Sequence, residues 1–164
     1  GFGSSIVADG TGIFLQNRGA NFSLDPTHPN ALAPNKRPYH TIIPGMALRE
    51  GRLWASFGVM GGFMQPQGHF QVISALVDDD VNPQAALDRL RFCLREGTPD
   101  SPLALEDGLP VATINRLTAL GHPVEMVSGF GRGLFGSGQI ILRDQYGVLY
   151  GGSDPRKDGL VAAY

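Results

Sequence analysis

The chain has 164 residues, 42% of them hydrophobic and 17% charged, with a formal net charge of −2. That length and balance suit one soluble domain with a sizeable core, and they argue against a nucleic-acid or membrane-surface binder. No apolar run approaches membrane-spanning length, and the lone Cys93 excludes an internal disulfide while leaving the compartment open.

The chain opens Gly1-Phe2-Gly3-Ser4-Ser5-Ile6-Val7, without Met, a signal peptide or a capping pattern, so residues are expected to precede it. Short apolar runs at 6–8 and 12–16 flank Asp9-Gly10-Thr11 and predict a hairpin. Periodicity then disappears over 17–38, where Asp25-Pro26, His28-Pro29-Asn30 and Pro34-Asn35 mark a long ordered loop with Phe22, Leu24 and Leu32 as candidate anchors. Runs at 41–48 and 52–57, separated by Arg49-Glu50-Gly51, predict a second hairpin.

Glycines then cluster at Gly58, Gly61, Gly62 and Gly68, with Pro66 among them, before a helical pattern over 69–77. A Gly-Gly pair where a buried strand gives way to a helix costs conformational entropy and packs no side chain. Its bare N–H groups suit an oxyanion hole or an anion cradle; a tight strand-to-helix turn accounts for it equally from this stretch alone. Asn82 as N-cap and Pro83 at the first helical position predict a helix over 83–96. A loop over 97–108, a helix over 109–120 ended by Gly121, and strands at 124–127, 139–143 and 148–151 follow. The order is strands, helices, strands. With hairpins in place of βαβ units, it predicts an α+β fold of antiparallel sheets covered by helices, undivided by any linker.

Other candidate sites are weak. Gly131-Arg132-Gly133-Leu134-Phe135-Gly136 matches G-x-G-x-x-G but leads into a strand where a dinucleotide site needs a helix, so an irregular loop is the better reading. His28, His40, His69 and His122 have no metal-ligand spacing; His122 is expected at the surface, and His40 beside Thr41 at a sheet edge. Asp78-Asp79-Asp80 reads as a solvated turn in preference to a metal site. In Ser153-Asp154-Pro155-Arg156, Asp154 is placed to cap and Arg156 to pair with a carboxylate. No Ser-His-Asp order, G-x-S-x-G or Cys-His pairing is present, so the residues offer a hole without a nucleophile.

Several stretches together resemble the gamma-glutamyltranspeptidases. Phe2-Gly3-Ser4-Ser5-Ile6-Val7 is similar to the family's F-G-[ST]-G-I-V, and Gly12-Ile13-Phe14-Leu15-Gln16-Asn17 to its G-I-L-L-N-N. Pro34-Asn35-Lys36-Arg37-Pro38 is its P-N-K-R-P, Gly61-Gly62 its oxyanion pair, and Gly152-Ser153-Asp154-Pro155-Arg156 with Ala163-Tyr164 its ending. The resemblance implies an αββα sandwich of the N-terminal-nucleophile hydrolase type. In such proteins self-cleavage frees a threonine whose hydroxyl attacks an amide while its own α-amine acts as base. That threonine would lie before Gly1, making residues 1–164 the later portion of the small subunit, with a large subunit from the same precursor as partner and no cofactor or metal.

Carried over by position, Gly61 and Gly62 would supply backbone N–H groups to the oxyanion. His40 and Thr41 fall where the family usually has Ser-Ser, the first binding the substrate α-carboxylate and the second lying beside the nucleophile. Arg18 and Asn21 fall where Gln and Asp usually hold the glutamyl α-amino group. An Asn in place of the acid, with a cation at Arg18, weakens selection for that ammonium and favours a glutaryl-type acyl chain. Met60-Gly61-Gly62-Phe63-Met64-Gln65-Pro66-Gln67-Gly68-His69 departs from the usual G-G-S-R continuation and is similar to the transpeptidase-like branch that includes cephalosporin-acylase-like proteins. The expected activity of the intact protein is hydrolysis or transfer of γ-glutamyl or glutaryl amides through an acyl-threonine. A catalytically silent peptide- or partner-binding scaffold of the same fold is the alternative.

Overall fold

A computed structural model describes residues 3–98 and 100–163. They form two compact units, 1–42 and 43–164. In the first, Ser4 N–H donates to Leu15 O at 2.8 Å and Leu15 N–H returns a bond to Ile6 O, giving the expected hairpin around one bridge, Val7 to Phe14. The long loop that follows is ordered, and of the three apolar anchors expected of it Phe22 alone is half-buried. Leu24 is 88% exposed and Leu32 62%, and polar bonds do the work instead. Asn30 Nδ2 donates to Asn21 O at 2.7 Å while its Oδ1 accepts from Tyr39 N–H at 3.0 Å, and Lys36 Nζ donates to Pro29 O.

The second unit begins with strands β1 (Gly45–Arg49) and β2 (Arg52–Met60), paired antiparallel. Glu50 and Gly51 both have positive φ, +52° and +76°, the two-residue turn whose twist matches a hairpin. The hairpin expected from 41 therefore starts later, and His40 and Thr41 precede the sheet instead of forming its edge. Strands β6 (Ser137–Arg143) and β7 (Leu149–Ser153) complete a four-stranded antiparallel sheet in the order β1-β2-β6-β7. Asp144 Oδ1 accepts from the N–H groups of Tyr146 and Val148 and closes the last turn.

Helices α1 (Gln65–Val77) and α2 (Pro83–Asp88) cover one face of this sheet. Ala55, Val59, Ile140 and Leu142 point inward against Val72, Ala75, Leu76, Ala86 and Leu87. Asn82 caps α2 as expected, its Oδ1 accepting from Ala85 N–H at 2.9 Å. The helix expected over 83–96 nevertheless ends at Asp88: Arg89 turns extended, and Phe92–Leu94 forms strand β3. Apolar spacing fits either state here, and tertiary partners decide. Phe92 and Leu94 donate backbone N–H to Oε1 of Gln71 and of Gln67, while Arg91 is pulled inward.

The stretch expected to be loop over 97–108 contains strand β4 (Leu103–Glu106), buried at every residue. Helix α3 (Val111–Ala119) returns the chain to β5 (Val124–Val127), which lies parallel to β4. This is a departure from all-antiparallel sheets, forced by the helical crossover. The three-stranded order is β3-β4-β5. The four-stranded sheet is built from strands expected in the sequence, whereas of the three-stranded sheet only β5 was expected as a strand.

A buried ion cluster joins these elements. Arg91 Nη2 meets Asp154 Oδ2 at 2.8 Å, and Arg156 Nη1 meets Asp154 Oδ1 at 3.1 Å. Arg156 also pairs with Glu106, which Arg132 reaches from the other side. Asp154 thus caps, accepting from the N–H groups of Gly138 and Arg156, and Arg156 finds its carboxylates, as the local sequence suggested. Burial pushes both carboxyls up, but the arginines and amide donors outweigh it and hold Glu106 and Asp154 below their ordinary values of 4.5 and 3.8.

A depressed carboxylate contributes stability above its unfolded pKa and loses it as pH falls through the folded one. Thermal stability of the full-length protein is therefore expected to be flat from neutrality to about pH 5 and to fall below it. Asp154→Ala strands Arg91 and is expected to cost about 3–5 kcal/mol at pH 7, read as a large drop in thermal midpoint. A variant as stable as the parent would contradict this reading of the cluster.

Candidate active site

Gly61 and Gly62 sit where β2 ends and α1 is about to begin. Met60, the last residue of β2, pairs with Ser137 of β6, so the turn leaves from a fixed point in the sheet. Gly61 has φ +157° with ψ +23°, and Gly62 has φ +62°, both outside the range that side chains tolerate well. A 3-10 turn, Gly62–Met64, then feeds α1.

The carbonyls of the turn are tied. Met64 N–H donates to Gly61 O at 3.2 Å, and the buried Gln65 side chain donates Nε2 to Gly62 O at 3.0 Å. The Gly61 carbonyl shares a rigid peptide plane with Gly62 N–H, so fixing one aims the other. Neither Gly61 N–H nor Gly62 N–H has an acceptor among the described residues, and both glycines are exposed. Two acceptor-free amides thus stand ahead of the positive end of a 13-residue helix.

One turn into α1, His69 Nδ1 lies 2.6 Å from Gln65 O, and its ring stands 5.7 Å from Phe57. The bond to a carbonyl assigns the proton to Nδ1 and leaves Nε2 as an acceptor, without a partner among the described residues.

The remaining candidates lie in the first unit. Arg18 and Asn21 bracket one 3-10 turn, Arg18–Asn21. Asn21 Nδ2 donates to Tyr39 O at 2.9 Å, which brings it beside the exposed His40 and half-buried Thr41. Arg18 Nη1 donates to Asn17 Oδ1, while its Nε is buried without a partner among the described residues. Two pairs about twenty positions apart are thus linked through the bond from Asn21 to the residue before His40. Gly61 and Gly62 belong to the second unit.

Other motifs resolve simply. Gly129–Phe135 is a 3-10 segment leading into β6, with no helix to receive a pyrophosphate. His122 is exposed, and Asp79 pairs with Arg89. Among the described residues no group of His, Cys, Asp and Glu is arranged to hold a metal ion, and no helix is long and apolar enough to cross a membrane. Gln65 and the burial of Arg91 went unnoticed in the sequence. A Gln inside a helical first turn carries no local sign that its amide faces backward.

A family model described as Gamma-glutamyltranspeptidase matches residues 1–164. The chain is 42% identical over 166 residues to the oxamate amidohydrolase proenzyme of Klebsiella pneumoniae, covering 99% of this chain and 31% of that one. It is 39% identical over 160 residues to the glutathione hydrolase-like YwrD proenzyme of Bacillus subtilis, covering 96% and 30%. A crystal structure of cephalosporin acylase from Bacillus halodurans superposes with a TM-score of 0.86 at 51% identity, covering all of this chain and 30% of that one. The chain therefore spans about a third of the length of these relatives, and its α+β fold is that of the N-terminal-nucleophile type that they represent.

The turn's geometry sets an order of sensitivity. A Cβ on Gly62 meets no atom within 4 Å, so Gly62→Ala bears only the left-handed backbone cost of about 1–2 kcal/mol. A Cβ on Gly61 would stand 3.0 Å from Gly136 Cα, a backbone atom that cannot swing away. Thermal unfolding of the two variants in the full-length protein is expected to place Gly61→Ala below Gly62→Ala; the reverse order would contradict this geometry.

Proposed function

Because the chain belongs to the gamma-glutamyltranspeptidase family, we propose that it is the small-subunit portion of a self-cleaved amide hydrolase or acyltransferase whose oxyanion hole is Gly61 and Gly62. The observation that carries this reading is the pair of acceptor-free N–H groups at that turn.

The nucleophile is a threonine upstream of Gly1. Its hydroxyl oxygen bonds to the substrate carbonyl carbon as its own α-amine takes the proton. The carbonyl π electrons move onto oxygen, and the N–H groups of Gly61 and Gly62 receive that charge. Collapse re-forms the carbonyl, breaks the C–N bond and returns the proton to the departing amine. Water or an amine then takes the acyl group from threonine by the same path in reverse. Loss of one such donor costs about a hundredfold to a thousandfold in rate.

Arg18, Asn21, His40 and Thr41, all in the first unit, are the residues that the family resemblance assigns to the acyl chain. A neutral Asn21 offers an ammonium no counter-charge, whereas Arg18 has an unsatisfied buried Nε suited to a carboxylate. The preferred acyl group is therefore one with a terminal carboxylate and no adjacent amine. Glutaryl amides fit this description better than γ-glutamyl amides, and so does oxamate, the substrate in the name of the Klebsiella relative.

The test uses the full-length, self-processed protein on γ-glutamyl and glutaryl anilides and on oxamate. Turnover is expected, with the glutaryl anilide above the γ-glutamyl one. Arg18→Gln with Asn21→Asp is expected to swing that ratio toward γ-glutamyl by about tenfold or more, equivalent to about 1.4 kcal/mol. An unmoved ratio would remove these two positions from the site. A protein that turns over none of the three would be a silent scaffold.

A further inference from the structure

We propose that Gly136 is a positioning residue for the Gly61–Gly62 turn, pressed against it by the Arg91–Asp154 ion pair; this rests on reading that turn as the oxyanion hole. Gly136 closes the Gly131-Arg132-Gly133-Leu134-Phe135-Gly136 motif, which has no nucleotide to bind and no role so far. Its backbone is left-handed, φ +73°. A Cβ there would lie 2.5 Å from Met60 O and 2.8 Å from Val59 Cγ1. From the other side, a Cβ on Gly61 would lie 3.0 Å from Gly136 Cα. The two backbones touch with nothing between them, and what Gly136 touches is the Met60–Gly61 peptide, which carries Gly61 N–H.

The two donors of the turn are therefore held in different ways. Gly62 N–H is aimed from within, through the bond from Met64 N–H to Gly61 O. Gly61 N–H is aimed from outside, by the bulk of Gly136 against its peptide.

Gly136 is itself held at the residue before it and two residues after it. Phe135, fully buried, accepts from Arg91 Nη1 at 3.1 Å through its carbonyl. Gly138 N–H donates to Asp154 Oδ2 at 2.7 Å, and the same oxygen takes Arg91 Nη2 at 2.8 Å. One ion pair thus grips both sides of the residue that backs the turn. A preorganised donor matters because it needs no reorganisation as charge develops, so a shift of a few tenths of an ångström acts on the transition state and spares substrate binding.

Steady-state kinetics on the better anilide, using full-length self-processed protein, test this. Gly136→Ala is expected to lower kcat about 10- to 100-fold with KM within about twofold, the pattern of an interaction made only in the transition state. Gly133→Ala, in the same 3-10 segment but with open space around its Cβ, is expected to keep the parental kcat. Arg91→Lys supplies a second, milder reading: it keeps a cation opposite Asp154 but cannot also hold the Phe135 carbonyl. It is expected to lower kcat at least about threefold with KM unchanged. Parental kcat in Gly136→Ala, or a loss confined to KM in either variant, would overturn the positioning role while leaving the oxyanion reading standing. A parent without turnover would overturn both.

Discussion

The interaction on which the second unit depends is the buried cluster of Arg91, Glu106, Asp154 and Arg156. Burying four charges is costly, and an isolated ion pair would scarcely offset its desolvation. Here each carboxylate is met by arginines and by backbone N–H groups as well. The arginines also donate to the carbonyls of Leu87, Arg89 and Phe135, while Arg91 Nε is buried without a partner among the described residues. The end of α2, the end of β4, the start of β6 and the segment after β7 are thereby pinned to one point. These are the places where the chain changes direction, so the cluster sets where the elements stop as much as it stabilises them.

That explains which parts of the fold were legible in the sequence. The Glu50-Gly51 hairpin turn, the Asn82 cap, α3 and the strands near the C-terminus announce themselves locally, through turn chemistry and short-range periodicity. The end of α2 does not. The 83–96 stretch has helical spacing throughout, and it breaks because Arg91 is drawn to Asp154, 63 positions away, while Gln67 and Gln71 recruit the backbone of Phe92 and Leu94. Strand β4 was hidden for the same reason: Leu103-Ala104-Leu105-Glu106 has little strand propensity and is a strand because both of its neighbours pair with it. The loop before β1 was read correctly as ordered and wrongly as apolar, since Asn30 does what Leu24 and Leu32 were expected to do.

The candidate site divides along the same line. Gly61 and Gly62 stand out in sequence because a glycine pair between strand and helix needs a reason. The groups that give the pair its geometry do not stand out: Gln65 acts through a side chain folded back on its own turn, and Gly136 acts by having no side chain. Arg18, Asn21, His40 and Thr41 were placed by resemblance alone, and the bond from Asn21 to the Tyr39 carbonyl supplies a physical reason for grouping them. Sequence order names the parts of such a site; the aim of an amide is set by distant backbone.

The central claim is that Gly61 and Gly62 receive the charge that develops on an amide oxygen. A crystal structure of the full-length, processed protein with its nucleophile covalently bound to a phosphonate acyl analogue tests it most directly. The account predicts a phosphonyl oxygen about 2.7–3.1 Å from both N–H groups, with the turn unmoved and Gly136 still against the Met60 carbonyl. An adduct whose oxygen is bonded to other donors, with the two glycine amides facing solvent, would contradict it.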